Sequence, residues 1–496
     1  MNAVTVHLPA LQVVVPLLTA PLVMLLRERN LAWAATTAAS LCAVAISFEL
    51  VNQVRGGGLL SYEVGAWPAP FGIEIIVDSL SALLLVIVSG ASSVALLVAR
   101  TSLGQEVPEG RQHLFYTAWL LALAGLNGIV VSGDAFNIFV FMEISSLATY
   151  VLIAGGARRQ ALSAVFKYLI MGTIGATFYL IGVGLIYMMT GTLNIADMAA
   201  RISDVTDLKP VLVAGGFITV GLMLKAAVFP LHTWLPNAYT FAPHAATVFI
   251  AACSTKVSLY VLLRFDFVVF QGNLPGHVTQ FSSFVLPLAI IAILVASVIA
   301  VFERDLKRLL AYSSVAQIGY ILLGAGLVSV TGLTAGIVHM FNHALAQGAL
   351  FLAVVCLATR VADLSVSGLA GIARRMPMTM AGFVAAGLSL IGIPGTAGFV
   401  GKWYLVLAAL ELGPRGALLI APVLAGSLIA VIYVWQVVES AYFRSPAQSQ
   451  AANEAPRWML TVLWATVLLN VYFGLQPMLP LGLAEEAAEG LLYRAD

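Results

Sequence analysis

Runs of roughly 20 apolar residues recur from one end of this 496-residue chain to the other, with only short polar gaps between them. In hydrocarbon every backbone N–H and C=O must find a partner within the protein, and a run of this length does so as a helix. Hydrophobic residues make up 61% and charged residues 9% of the chain, against about 25% charged in a water-soluble domain. The expected class is therefore an all-α polytopic membrane protein. The gaps leave no room for a soluble catalytic domain, so function has to lie in or beside the bilayer. A net charge of +1 gives no basis for nucleic-acid binding. Cys42, Cys253 and Cys356 lie in apolar runs without CxxC spacing and read as packing residues. Arg27 and Arg29 follow the first apolar run and no basic stretch precedes it, so that run is expected to be a retained helix.

Reading the runs against their punctuation predicts about fourteen spans, near 8–26, 31–53, 73–99, 113–131, 134–154, 161–189, 210–230, 243–264, 281–302, 308–328, 333–360, 379–411, 416–443 and 457–480. Alternate faces then collect unequal numbers of basic residues. One has Arg27, Arg29, Arg100, Arg111, Arg158, Arg159, Arg304, Lys307, Arg308, Arg360, Arg374, Arg375, Arg444 and Arg457. The other has Arg55, Arg201, Lys209, Arg264, Arg415 and Arg494. The positive-inside rule places both termini on the outer, periplasmic face of a cell inner membrane.

Two segments interrupt a span with proline close to a lysine. In GLMLKAAVFPLHTWLPNAY, Lys225 precedes Pro230; in SLIGIPGTAGFVGKWY, Lys402 follows Pro394. Proline inside a span frees backbone carbonyls, which is tolerated only where protein or water satisfies them. These are the seventh and twelfth spans, five apart. Paired interruptions of this kind indicate two inverted five-helix repeats with discontinuous helices 7 and 12. The resulting division is 1–110 for helices 1–3, 111–265 for helices 4–8, 266–445 for helices 9–13, and 446–496 for helix 14 and the tail.

Four lysines, Lys167, Lys225, Lys256 and Lys402, and one carboxylate, Glu143, fall inside spans. A charge in the membrane costs several kcal/mol and by default marks a functional path. Burial disfavours an ammonium relative to the neutral amine, and a nearby carboxylate reverses the balance. Moving or neutralising the carboxylate then releases a proton, which makes a Glu and Lys pair an electrostatic switch. Lys225 and Lys256 are mid-segment, whereas Lys167 lies near the basic loop GGARRQ and suits a helix-end anchor. Asp134, nine residues and roughly 13 Å from Glu143 on the same helix, points to the other side and reads as a helix-start residue.

His339 and His343 stand at i and i+4 in GIVHMFNHALAQGALF, with Asn342 and Gln347 adjacent. HMFNH lacks the glutamate of HExxH, so no metal is expected, and the pair is better suited to carrying protons between lysines. His232 and His244 flank the loop after Lys225 and offer a connection to the cytoplasmic face. No GxGxxG or Walker loop is present, so no nucleotide or other cofactor is expected, and the energy must come from an ion gradient or a partner subunit.

With MEISSLATYVLI, LKAAVFPLHTWLPNAY and PGTAGFVGKWY placed around Glu143, Lys225, Lys256 and Lys402, the chain resembles the antiporter-like subunits of respiratory complex I and of Mrp-type cation/proton antiporters. The stretch GAWPAPFGIEIIVDSLSALLL is most similar to the Mrp D type. The resemblance covers nearly the whole chain. It implies a fourteen-helix fold with inverted repeats and a hydrophilic axis. By that likeness Glu143 and Lys225 form the coupling pair, Lys256 the central relay, His339 and His343 part of the path, and Lys402 the exit-side residue. It further implies membrane-subunit partners, with protons as the ions moved and Na⁺ crossing through this subunit or a neighbour. The alternative is a pumping subunit of a redox-driven complex, either an NADH-quinone oxidoreductase or a membrane-bound hydrogenase. A purely structural scaffold conflicts with so many buried charges.

Overall fold

In the computed structural model, which describes residues 3–274, 276–445 and 453–493, twelve helices are long and apolar enough to cross a membrane. In chain order, α1 is Leu8–Leu25, α2 Arg29–Gly57, α3 Ser79–Glu106, α4 Glu109–Val131, α5 Ala135–Ala154 and α6 Gln160–Thr190. The seventh crossing is split into α7 (Lys209–Lys225) and α8 (Leu235–Phe241). Then follow α9 (His244–Phe270), α10 (His277–Phe302), α11 (Leu306–Gly326) and α12 (Val330–Ala358). The twelfth crossing is split into α13 (Pro377–Ile391) and α14 (Ala397–Glu411), and α15 (Pro414–Phe443) and α16 (Arg457–Leu475) complete fourteen. Arg494, counted above for orientation, lies outside the described residues, as does the side chain of Arg415.

Several expected boundaries are corrected: the third span ends at Glu106, the seventh continues to Phe241 and the eighth to Phe270, and two further bounds involve a change of element. Residues near 73–78 are not helical: Glu74–Val77 pairs antiparallel with Leu60–Glu63 in a two-stranded hairpin, and helix α3 starts only after Asp78. The EIIV stretch is β-branched and suits an extended chain, while the Asp78 carboxylate accepts from Ser81 N and caps the helix. The last crossing stops at Leu475, and a separate helix α17, Met478–Leu492, follows Pro477.

The inverted repeat is written in one small motif that occurs twice. Asp134 caps α5 by accepting from Asn137 N, and its backbone bridges Asn194 beyond the end of α6. Asp305 caps α11 by accepting from Arg308 N and bridges Ser365 beyond the end of α12. Even the flanking hydrogen bonds repeat: Ala135 N to Leu193 O is matched by Leu306 N to Leu364 O, and Ile195 N to Gly133 O by Val366 N to Arg304 O. Because α5 and α11 run in opposite directions through the bundle, the two copies lie at opposite faces. A cap of this kind contributes about 1 kcal/mol and fixes where each helix enters.

Burial ranks the helices. In α11 and α12 94% of the best apolar window is buried and in α9 89%, against 28% for α15 and α16. The helices carrying Lys256 and the two histidines are therefore the innermost ones, and their polar side chains cannot reach lipid headgroups.

Candidate functional site

The polar axis begins on α5. Glu143 Oε1 lies 3.6 Å from Lys225 Nζ, and the same Nζ donates to Ser146 Oγ at 2.7 Å. Ser146 stands three residues beyond Glu143, so one helix face presents both groups to the lysine. At 3.6 Å the ions touch without a close charge-assisted bond, for which about 2.7–2.9 Å is usual. The lysine is fully enclosed, with 4% of its side chain exposed, while Glu143 remains 29% exposed. Lys225 is the last residue of α7, held where the helix stops and the chain runs irregularly through Pro230 to α8. Trp234 Nε1 donates to the Leu224 carbonyl at 3.0 Å, alongside Ala227 N at 3.2 Å, so this carbonyl at the break is satisfied inside the bundle.

A small cavity of about 20 Å³ adjoins Lys225 and is lined by Ser145, Ser146, Tyr168, Ser254 and Ser258. That is room for roughly one water, with enough polar partners to hold it. The two last-named serines flank Lys256 on α9, so the cavity joins the Lys225 region to that helix. Lys256 is itself wholly buried, and its Nζ donates to Ala251 O at 2.6 Å. Among the described residues no carboxylate lies within 4 Å of it or of Lys402.

On α12, His339 Nε2 pairs with Gln317 Oε1 of α11 at 2.8 Å. With an amide oxygen as acceptor the proton sits on Nε2, leaving Nδ1 free to accept. His343 stacks one turn away, ring centroids 6.5 Å apart, and neither of its ring nitrogens has a close hydrogen-bond partner, Gln347 being the polar side chain beside it. Both amide atoms of Asn342 and the oxygen of Gln347 are unpaired as well, whereas Gln347 Nε2 donates to Leu310 O and Ser314 Oγ. Buried polar groups are nearly always satisfied, so a row of such atoms on one helix is a place that recruits water.

The axis ends at the second break. Gly392 (φ 92°) and Gly395 (φ 87°) terminate α13 and turn the chain into α14. Lys402 reaches back across this turn and donates to Leu390 O at 3.0 Å, Ile391 O at 2.9 Å and Ser427 Oγ at 3.0 Å. It thereby satisfies the carbonyls that the break releases, at the negative end of the half-helix dipole. Its ammonium also lies 4.5 Å from the centre of the Tyr320 ring, which is 5.6 Å from the His339 ring. A Cβ on Gly401 would meet His339 Nδ1 at 2.7 Å, so only glycine lets α14 approach the histidine helix this closely.

The remaining sequence candidates lie apart from this axis. Asp134 is a helix cap. Lys167 is exposed on the outer side of α6. His232 is buried in the seventh-span break, stacked on Phe229 and edge-on to Tyr312. His244 starts α9; its backbone N donates to the Glu106 carboxylate and its Nε2 lies 3.6 Å from Glu106 Oε1. Lys307, assigned to a loop by its position between spans, is 2% exposed and donates to Ala242 O at 2.7 Å, because α11 starts earlier than its hydropathy suggests. Ser146, Gln317 and Tyr320 were not legible as site residues, since nothing in their type separates them from ordinary core polar groups. No group of three metal-ligating side chains occurs among the described residues.

Residues 132–429 match the family described as NADH:quinone oxidoreductase/Mrp antiporter, transmembrane. The chain belongs to this family. Among relatives of the NADH:quinone oxidoreductase/Mrp antiporter family, NADH-quinone oxidoreductase subunit N of Desulforudis audaxviator is 42% identical over 455 residues, covering 91% of this chain and 90% of its own. The D-type subunit of the Na⁺/H⁺ antiporter of Bacillus subtilis is 28% identical over 486 residues, covering 97% and 96%. A chain in the solved Mrp complex of a Dietzia species superposes with a TM-score of 0.90 at 28% identity, covering 99% of this chain and 98% of that one.

Proposed function

We propose that this chain is the proton-translocating membrane subunit of a multisubunit Mrp-type Na⁺/H⁺ antiporter. Protons cross along Glu143, Lys225, Lys256, the His339 and His343 pair, and Lys402. The observation that carries this reading is the loose contact between Glu143 and Lys225: a buried ammonium whose carboxylate sits at 3.6 Å and is itself partly open. When Glu143 is protonated or displaced, the enclosed ammonium loses its counter-charge and gives up its proton toward the cavity beside Ser254 and Ser258. Lys256 accepts next, the free nitrogens of His343 and His339 lead on, and Lys402 stands at the far break. Likeness to a D-type antiporter chain over 97% of the length supports cation exchange as the coupled process, with other membrane subunits as partners. The excess of basic residues on the face opposite the termini supports a plasma-membrane orientation with both termini outside.

The test is cation-driven dissipation of a pH gradient in everted vesicles carrying the whole complex. E143Q and K225A are expected to abolish it while the complex still assembles; full activity in both would sink the mechanism. The second reading, a pumping subunit of a redox-driven complex, is favoured by the 42% identity to NADH-quinone oxidoreductase subunit N. Purifying the tagged chain separates the two, since iron–sulfur subunits among its partners would select the redox complex, and small hydrophobic subunits without redox centres the antiporter.

A further inference from the structure

A second acid–base pair is buried away from the axis, at the far end of α9. Asp266 is 2% exposed within a membrane-crossing helix, and its carboxylate meets His277 and Thr219 without a close hydrogen bond to either. His277, the first residue of α10, places Nε2 3.5 Å from Asp266 Oδ1, and that nitrogen is unpaired too. The histidine side chain is 16% exposed. Accessibility therefore falls from His277 at the surface to Asp266 inside.

Among the described residues the surroundings offer Asp266 no ionic partner other than His277. Arg264, two residues before Asp266, is the nearest cation along the helix, but it is bound to Asp78 and Ser81 and lies over the Tyr260 ring. On the short helix Ile195–Ile202, Asp197 and Arg201 pair with each other, and Glu486 of α17 accepts from Ser79. Asp266 is thus left with His277 and, from α7, the nearby Thr219 hydroxyl. Thr219 stands six residues, roughly 9 Å, before Lys225 on the same helix. Asp266 also sits in a π-helical stretch, Arg264–Phe270, the kind of widened turn that recurs at functional sites.

We propose that His277 and Asp266 form a proton port linking the face that carries the termini to Lys225. His277 exchanges protons with water, Asp266 receives them inside the bundle, and Thr219 leads along α7 to the lysine. This rests on the proton-translocating reading, and its test keeps the two separable. In the assembled complex, D266N is expected to lower cation-driven proton flux at least tenfold, D266E to restore most of it, and H277Q to shift the pH profile of flux. E143Q and K225A serve as controls. If they abolish flux while D266N keeps the wild-type rate and pH profile, the port is wrong and the proposed function stands; if they too leave flux intact, the proposed function fails. Should D266N not assemble, labelling of the wild-type complex with a hydrophobic carbodiimide decides. Modification of Asp266 that quickens as pH falls supports the port, and a carboxylate that stays unmodified overturns it.

Discussion

Lys225 keeps its position through two contacts of different character, the ionic one to Glu143 at 3.6 Å and the neutral one to Ser146 at 2.7 Å. Removing only the hydroxyl leaves the charge pair in place, so S146A is expected to slow proton flux several-fold without abolishing it. Removing the carboxylate deprives the enclosed ammonium of its counter-charge for good, so Lys225 stays neutral and E143Q is expected to abolish flux. Flux in vesicles from E143Q and S146A, compared at equal complex content, checks this ranking. The same logic applies to Gln317, whose oxygen sets the His339 tautomer. Q317L should cost at least tenfold in flux, because it frees Nε2 and leaves the ring without a fixed orientation, whereas Q317E should retain more.

At the level of elements, the two broken helices solve one problem differently. In the seventh crossing the carbonyl at Leu224 accepts from both Trp234 and Ala227 N, and Lys225 ends the half-helix before the break. In the twelfth, Lys402 lies after the break and itself caps Leu390 and Ile391. Proline near lysine was visible in both stretches, but which side of each break the ammonium serves was not, because it depends on how the half-helices overlap. The close approach of α14 to α12 also belongs to this scale. G401V places a branched side chain against His339 and is expected to destabilise the complex by about 1–3 kcal/mol, read as a lower melting temperature of the purified assembly.

For the whole molecule, hydropathy made the number of crossings legible, and the paired prolines pointed to the inverted repeat. The twin caps at Asp134 and Asp305 became recognisable only once the chain was folded, since each consists of an acid and a backbone bridge some sixty residues apart. An impermeant thiol reagent on intact cells tests the orientation. It should label a cysteine at Ser203, between α6 and α7, and spare one at Ala362, between α12 and α13; the reverse pattern would invert the assignment. Composition and spacing by themselves determined the membrane class, about fourteen helices, two interrupted crossings and a short set of buried charges, because lipid allows so few ways to satisfy a backbone. Only the tertiary structure decided which of those charges meet. Lys225, Lys256, His339, His343 and Lys402 share one interior axis and Lys167 faces outward. That division depends on helix rotation and on packing between residues distant in the chain, to which hydropathy along the sequence is blind.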